Sequence, residues 1–200
     1  TSLTTLGNDY SAKNNDWTLT NHSLTAGVTY DWMEDRPGNS YAVLNPLDNG
    51  GNTLSAGNLT CVTPAGSFPT TRTSTGVASG KWYWEVAITS VGGGGSSLNV
   101  GIAKNEHSLS TWLGNTATSW SYDAQGNKVN NSSAVAYGAT YTSGDLIGVA
   151  FDSDAGTLTF YKNNSSQGTA YTGLTSGPYF PALSDASSSY FATFDINFGQ

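Results

Sequence analysis

The chain has 200 residues and a formal net charge of −7, with only 10% charged residues, 12% aromatic residues and 24 glycines. A chain of this length can bury a substantial core without disulfides or metals, as one large domain or two small ones. Its negative charge repels a phosphate backbone, and its seven basic residues stand singly, which argues against nucleic acid as a partner and against an amphipathic face for a membrane surface.

Cys61 is the only cysteine, which excludes an internal disulfide and any multi-cysteine metal site; it is expected to be buried strand filler. No apolar run approaches the roughly 20 residues of a spanning helix, so no membrane insertion is expected. The chain starts at Thr1 without a signal-like segment, and is expected to be part of something longer.

In chain order, residues 1 to 30 are polar, with Trp17 and Leu19 on one side of a short strand or linker. Turn signals at Pro37-Gly38 and Asn49-Gly50-Gly51 bracket a strand around Tyr41 and Val43, and Leu59 with Cys61 marks another. Pro64, Pro69 and Gly76 then punctuate a passage in which a helix could not persist. GKWYWEVAITS, residues 80 to 90, is the clearest strand, with Trp82, Trp84, Val86 and Ile88 predicted to face inward. Leu98, Val100 and Ile102 alternate next, and a loop holding Trp112 leads to SWSYDAQGN with its turn at Gly126-Asn127.

The chain is organised around Asp145 to Gly168. There Ile147, Val149 and Phe151 share one face and, after a turn at Asp152-Ser153-Asp154-Ala155-Gly156, Leu158 and Phe160 resume the alternation. A lone hairpin is barely stable in water, so other strands must cover it. YFPALS and a last strand with Phe194, Ile196 and Phe198 on one face complete about nine to twelve short strands, which predicts an all-β, antiparallel two-sheet sandwich.

Six blocks, SGKWYWEV, LNVGIA, LG with SWSYDAQG, YTSGDLIGVAFDSDAGTLTFYKN, YFPALS and INFG, occur in this order between residues 79 and 199 and resemble the SPRY domain. The resemblance implies a bent sandwich of concanavalin-like shape that is a binding module rather than an enzyme, with its contact surface in loops at one rim. It implies a SPRY core over residues 76–200 and an extension over 1–75 that supplies strands or a linker. Where the family often has Asn-Gly after the Phe-Tyr-Lys strand this chain has Asn163-Asn164, and Asn tolerates the positive φ of such a turn. Upstream, LGNDYSAKNNDWTLTN and DRPGNSYAVLNPLDNG are similar to segments that precede SPRY-like domains in bacteriophage tail-fibre proteins.

The residues themselves offer no catalytic set. His22 and His107 both sit in polar, loop-like sequence and are expected to be solvated. Glu85 has only Tyr83 and Ala87 as same-face neighbours on its strand, so the second carboxylate of a glycosidase is missing there. The Asp152 turn lacks the glutamate that a calcium loop places at its twelfth position, held here by Asn163, and reads as a self-capping turn. Gly92 to Gly95 is followed by Ser-Ser-Leu rather than a phosphate-binding lysine. No cofactor, metal or catalytic residue is therefore expected.

What remains is recognition. Tyr30, Trp32, Trp112, Tyr137 and Tyr171 lie outside the strand alternation and are the candidate ligand-binding residues, although each also fits a loop residue tucked back on the sandwich. The first expectation is a non-enzymatic module on a phage or viral particle, outward-facing on a tail or surface fibre, that meets a host-surface glycan or protein. The alternatives are an intracellular SPRY-type peptide-binding module, or a virion structural domain whose rim contacts other virion proteins or copies of itself.

Overall fold

The computed structural model describes residues 41–91, 98–187 and 191–199, together with Asp16, Thr18 and two short strands between 24 and 30. Alternating β-branched and aromatic residues set between Gly- and Asn-rich turns favour strands, and among the described residues there are sixteen, numbered in chain order, and no helix. Strands β1 (Leu24–Thr25) and β2 (Thr29–Tyr30) pair with each other. One seven-stranded sheet has the order β11 (Ser133–Ala136), β10 (Asn127–Asn130), β9 (Ser119–Asp123), β8 (Leu98–Ala103), β15 (Phe180–Asp185), β6 (Thr70–Thr73) and β3 (Leu44–Asn49). The other runs β14 (Ser165–Tyr171), β13 (Thr157–Lys162), β12 (Leu146–Asp152), β7 (Lys81–Val91), β16 (Ala192–Asn197), β5 (Thr60–Val62) and β4 (Thr53–Ser55). All their pairings are antiparallel, and the count exceeds the expected nine to twelve because tight turns split several segments into two short strands.

The central hairpin forms in the register its alternation requires, with Val149 opposite Phe160 and Asp152 opposite Thr157. On its other side β12 pairs with β7, which places Trp84, Val86 and Ile88 beside Ile147, Val149 and Phe151. These side chains share one core with Leu98, Val100, Ile102 and Leu183 of the facing sheet. Each such burial stabilises the fold by about 1.5–3 kcal/mol before entropy is subtracted. Cys61 is buried in the same core, and desolvation pushes its thiol up to about 12, so it stays protonated and inert.

The turns obey local chemistry. Asp152 Oδ1 accepts from the backbone N–H groups of Asp154 and Ala155, so the acidic turn caps itself. Asn163 and Asn164 take φ of 49° and 65°, the left-handed pair that a two-residue hairpin demands, and the Asn163 side chain bonds Leu146 N and Asp145.

Two expectations are corrected. Trp82 shares the inward face of β7 but is 47% exposed, because it stands near the end of the strand where the facing sheet no longer covers it. His107 is not solvated: it is 2% exposed, with Nδ1 2.8 Å from Thr116 Oγ1 and Nε2 3.3 Å from Thr70 Oγ1. The loop after β8 folds back over β6, where Arg72 anchors it by donating to the carbonyls of Lys104 and His107 while gripping Asp48 at 2.6 and 2.7 Å.

This Arg72 clamp ties β3, β6 and the loop with four hydrogen bonds from one buried guanidinium. Arg72→Ala is expected to cost about 3 kcal/mol, the lower end for a broken buried pair because Asp48 keeps some solvent, and Arg72→Lys restores little, since an ammonium cannot make the bidentate grip; urea midpoints measure both. Burial, and then the Arg72 charge, lower the His107 pKa from 6.5 to about 4. The unfolded chain therefore binds a proton that the folded chain resists, so stability is expected to fall as pH drops from about 6.5 toward 4. His107→Gln flattens that part of the pH–stability curve.

Candidate functional site

Strand β7 begins at Lys81, immediately after Gly80, whose φ of +84° turns the chain into the strand, and the aromatic run Trp82-Tyr83-Trp84 follows at once. On a strand, three successive aromatic residues cannot share a face. Trp84 points into the sandwich and is 2% exposed, and Trp82 sits on the same face one rung nearer the rim. Its Nε1 is tied down, donating to Ser79 O at 2.7 Å. Around these two indoles the rim opens into a cavity of about 210 Å³ whose walls include Tyr41, Val77, Pro181 and Phe198. An adjoining hollow of about 180 Å³ shares Tyr83, Trp84 and Phe198 and adds Glu85 and Asn197.

One polar atom in this site stands out. Trp84 Nε1 is buried and has no hydrogen-bond partner among the described residues. The two buried residues that line the cavity with it, Val77 and Pro181, have side chains without polar atoms, so neither supplies an acceptor.

Tyr83 takes the outer face of the sheet and is half exposed. Its ring lies over Gly148 of β12, where any Cβ would collide with the phenol, and stands edge-on to Tyr161 with centroids 6.3 Å apart. Its hydroxyl donates to Glu85 Oε1 at 3.0 Å. Partial burial and then the Glu85 carboxylate push the Tyr83 phenol up to about 12, so it remains a donor at neutral pH. Glu85 forms no ion pair with a described cation: Lys81 is bound to Asp152, Lys162 to Asp145 and Arg72 to Asp48.

The outer face also carries an acid that a single strand could not reveal. β16 brings Asp195 opposite Ala87, one diagonal step from Glu85. Its two oxygens accept from the hydroxyls of Thr60 at 2.5 Å and Thr89 at 2.6 Å. Among the described residues no group of three or more His, Cys, Asp or Glu is placed to hold a metal.

The candidate residues read from the sequence are dispersed. Trp32 and the side chain of Tyr30 lie outside the described residues. Trp112 is half-buried in the loop between β8 and β9, whose Leu113 N donates to Ser184 Oγ. Tyr137 and Tyr171 are brought to one edge of the core. The Tyr137 hydroxyl donates to Gly168 O and its ring packs edge-on to Tyr122 and Phe160, while the Tyr171 hydroxyl donates to Ser121 O at 2.9 Å beneath Lys128. None of these three lines the cavity. Of the residues that do, Trp82 and Trp84 were read as core and Tyr83 as the opposite face of the same strand; the signal for a site was the unbroken aromatic run itself, which forces a large side chain outward.

Comparison with known proteins places the chain. It is 32% identical over 112 residues to SPRY domain-containing SOCS box protein 3 of Xenopus tropicalis, covering 52% of this chain and 31% of that protein. It is 30% identical over 121 residues to E3 ubiquitin-protein ligase RKP of Arabidopsis thaliana, covering 58% of this chain and 9% of that one. The chain thus spans a third or less of the length of either. Among solved structures, the SPRY domain of human HERC1 superposes with a TM-score of 0.68 at 23% identity over 78% of this chain and 98% of that one, and stonustoxin with 0.63 at 22% identity over 79% and 27%; both show likeness of fold. The family model of the SPRY domain matches residues 81–200, from the first residue of β7 onward. The two antiparallel sheets and this match together establish that the chain belongs to the SPRY domain family.

Proposed function

We propose that this chain is a protein-interaction module that takes a short segment of a partner protein in the aromatic mouth at the start of β7. The observation that carries this reading is the mouth itself: a rim cavity of about 210 Å³ with Trp82 and Tyr83 each about half exposed. Cavities for small molecules and cofactors run to roughly 300–1,000 Å³, so this one is sized for one or two side chains of a peptide. Rigid aromatic residues around a desolvated pocket are the usual anchors of protein interfaces.

SPRY domains as a class act as binding modules, and this supports the non-enzymatic reading. The relatives named above are a frog SOCS box protein and a plant ubiquitin ligase, which favours the intracellular peptide-binding alternative over a virion module that meets a host glycan. The viral reading drew on residues 6–21 and 35–50, most of which fall outside the described residues.

A random peptide library panned against the chain tests this. Selected peptides are expected to bind with micromolar Kd, and Trp82→Ala is expected to weaken them about tenfold or more with little loss of stability, since Trp82 is half exposed. Equal binding to wild type and Trp82→Ala would move the site elsewhere, and an empty selection would overturn the reading. Gly148→Ala provides a gentler probe: the added methyl displaces the Tyr83 hydroxyl from Glu85 without touching the core. Severalfold weaker binding with an almost unchanged Tm is the expected result.

A further inference from the structure

We propose that the free edge of β11 pairs with the β11 of a second copy of this chain, antiparallel and about a two-fold axis at Val135. This goes beyond the peptide-binding reading and does not depend on it. No residue of β11 lines the cavity, so the pair would carry two open mouths.

β11 ends one of the two large sheets, with β10 on one side and no described strand on the other. The hairpin fixes which backbone groups face outward. It turns through Asn131 and Ser132, both at positive φ, and the residues that flank such a two-residue turn, Asn130 and Ser133, form a hydrogen-bonded pair. Beyond the strand Tyr137 N donates to Gly126 O, in the same phase. Ser133, Val135 and Tyr137 therefore bond toward β10, and the N–H and C=O groups of Ala134 and Ala136 point away from it. The turn is pinned before any strand arrives: Ser132 N donates to Gly114 O, Ser132 Oγ to Asn115 O and Asn131 N to Thr116 O.

Native proteins blunt such edges with proline, bulges, charges or shortness. The other three edges of the two sheets are blunted in these ways: β3 contains Pro46 and breaks register, β14 breaks register twice, and β4 has only three residues. β11 keeps continuous register with β10, and all of its residues, Ser-Ala-Val-Ala, are exposed and uncharged.

Sequence and charge name the occupant. Ala134-Val135-Ala136 reads the same in both directions, so a second copy running antiparallel meets its own sequence in register. Ala134 and Ala136 then exchange hydrogen bonds with Ala136 and Ala134 of the second copy. The half-exposed Val135 meets its own counterpart at the close, non-hydrogen-bonded position between them. A chain of net charge −7 repels its copy, yet no acidic residue lies between Asp123 and Asp145. Lys128, the one charge in that stretch, is turned to Ala170 O. The edge is thus a place where two copies can touch without setting like charges face to face.

The test is sedimentation velocity on the full chain together with 15N amide spectra. The contact is far smaller than a standard interface, so a dimer with Kd on the order of a few hundred micromolar is expected over the range from about 50 μM to about 1 mM. The amide N–H resonances of Ala134 and Ala136 are expected to move with concentration, with those of β3, β4 and β14 still. Raising salt from about 0.05 to about 0.5 M is expected to tighten the dimer severalfold, because it screens the net repulsion and breaks no ion pair. Val135→Glu sets like charges opposite each other and is expected to leave a monomer with an almost unchanged Tm, since Val135 is half exposed and its cross-strand neighbour is Lys128. An equimolar mixture of Val135→Glu and Val135→Lys is expected to associate again, which only a contact centred on that position allows; if Val135→Lys does not fold, Val135→Glu and the amides of the unaltered chain decide. A chain that stays monomeric at about 1 mM overturns the proposal, whatever peptide the mouth binds, and leaves the edge to a strand of another protein. A dimer that moves other amides, one that Val135→Glu does not weaken, or a mixture of folded variants that stays monomeric overturns it equally.

Discussion

The structure depends on keeping the inward face of β7 out of water. Trp84, Val86 and Ile88 lie at the centre of a sheet, bonded through β12 on one side and β16 on the other, and they are covered by Val100, Ile102 and Leu183 from across the sandwich. Neither sheet is stable alone, since each presents one apolar face that only the other can cover. The hairpin of β12 and β13, the long β7 and the closing β16 are therefore one cooperative unit. Strands β3 to β6, which precede residue 76, are hydrogen-bonded into the two large sheets as well: β3 and β6 complete one sheet, and β4 and β5 the other.

The same constraint produces the site. Burial demands that the sheets cover each other, and they do so only as far as their strands run together. At the rung of Trp82 the cover ends, and the last indole of the inward face becomes the lip of a cavity. Just behind it, Trp84 keeps the apolar burial of its ring but leaves its Nε1 unpaired, a state that costs a fold about 1–3 kcal/mol. Tyr83 reaches the outer side of the same rung because Gly148 has no side chain to block it. An inner wall, a lip and an outer platform thus come from three consecutive residues.

The Arg72 clamp and the cavity share no residue. The Arg72 clamp and the buried His107 hold the loop that follows β8, and neither residue lines the cavity. The hydroxyls of Tyr137 and Tyr171 are engaged by the carbonyls of Gly168 and Ser121.

Period-two alternation by itself determined the strands, the central hairpin with its register, the two-layer class and the small-residue turns, because those follow from local geometry and from which side of a strand a side chain takes. It correctly placed Trp84, Val149 and Phe160 inside and Asp152 in a self-capping turn. It could not show that Trp82 emerges at the rim, that His107 is buried, or that Asp195 stands beside Glu85, since each depends on where a distant strand ends or pairs. The cavity was invisible for the same reason: it is bounded by residues from 41 to 198, and only the meeting of two sheets brings them to one place.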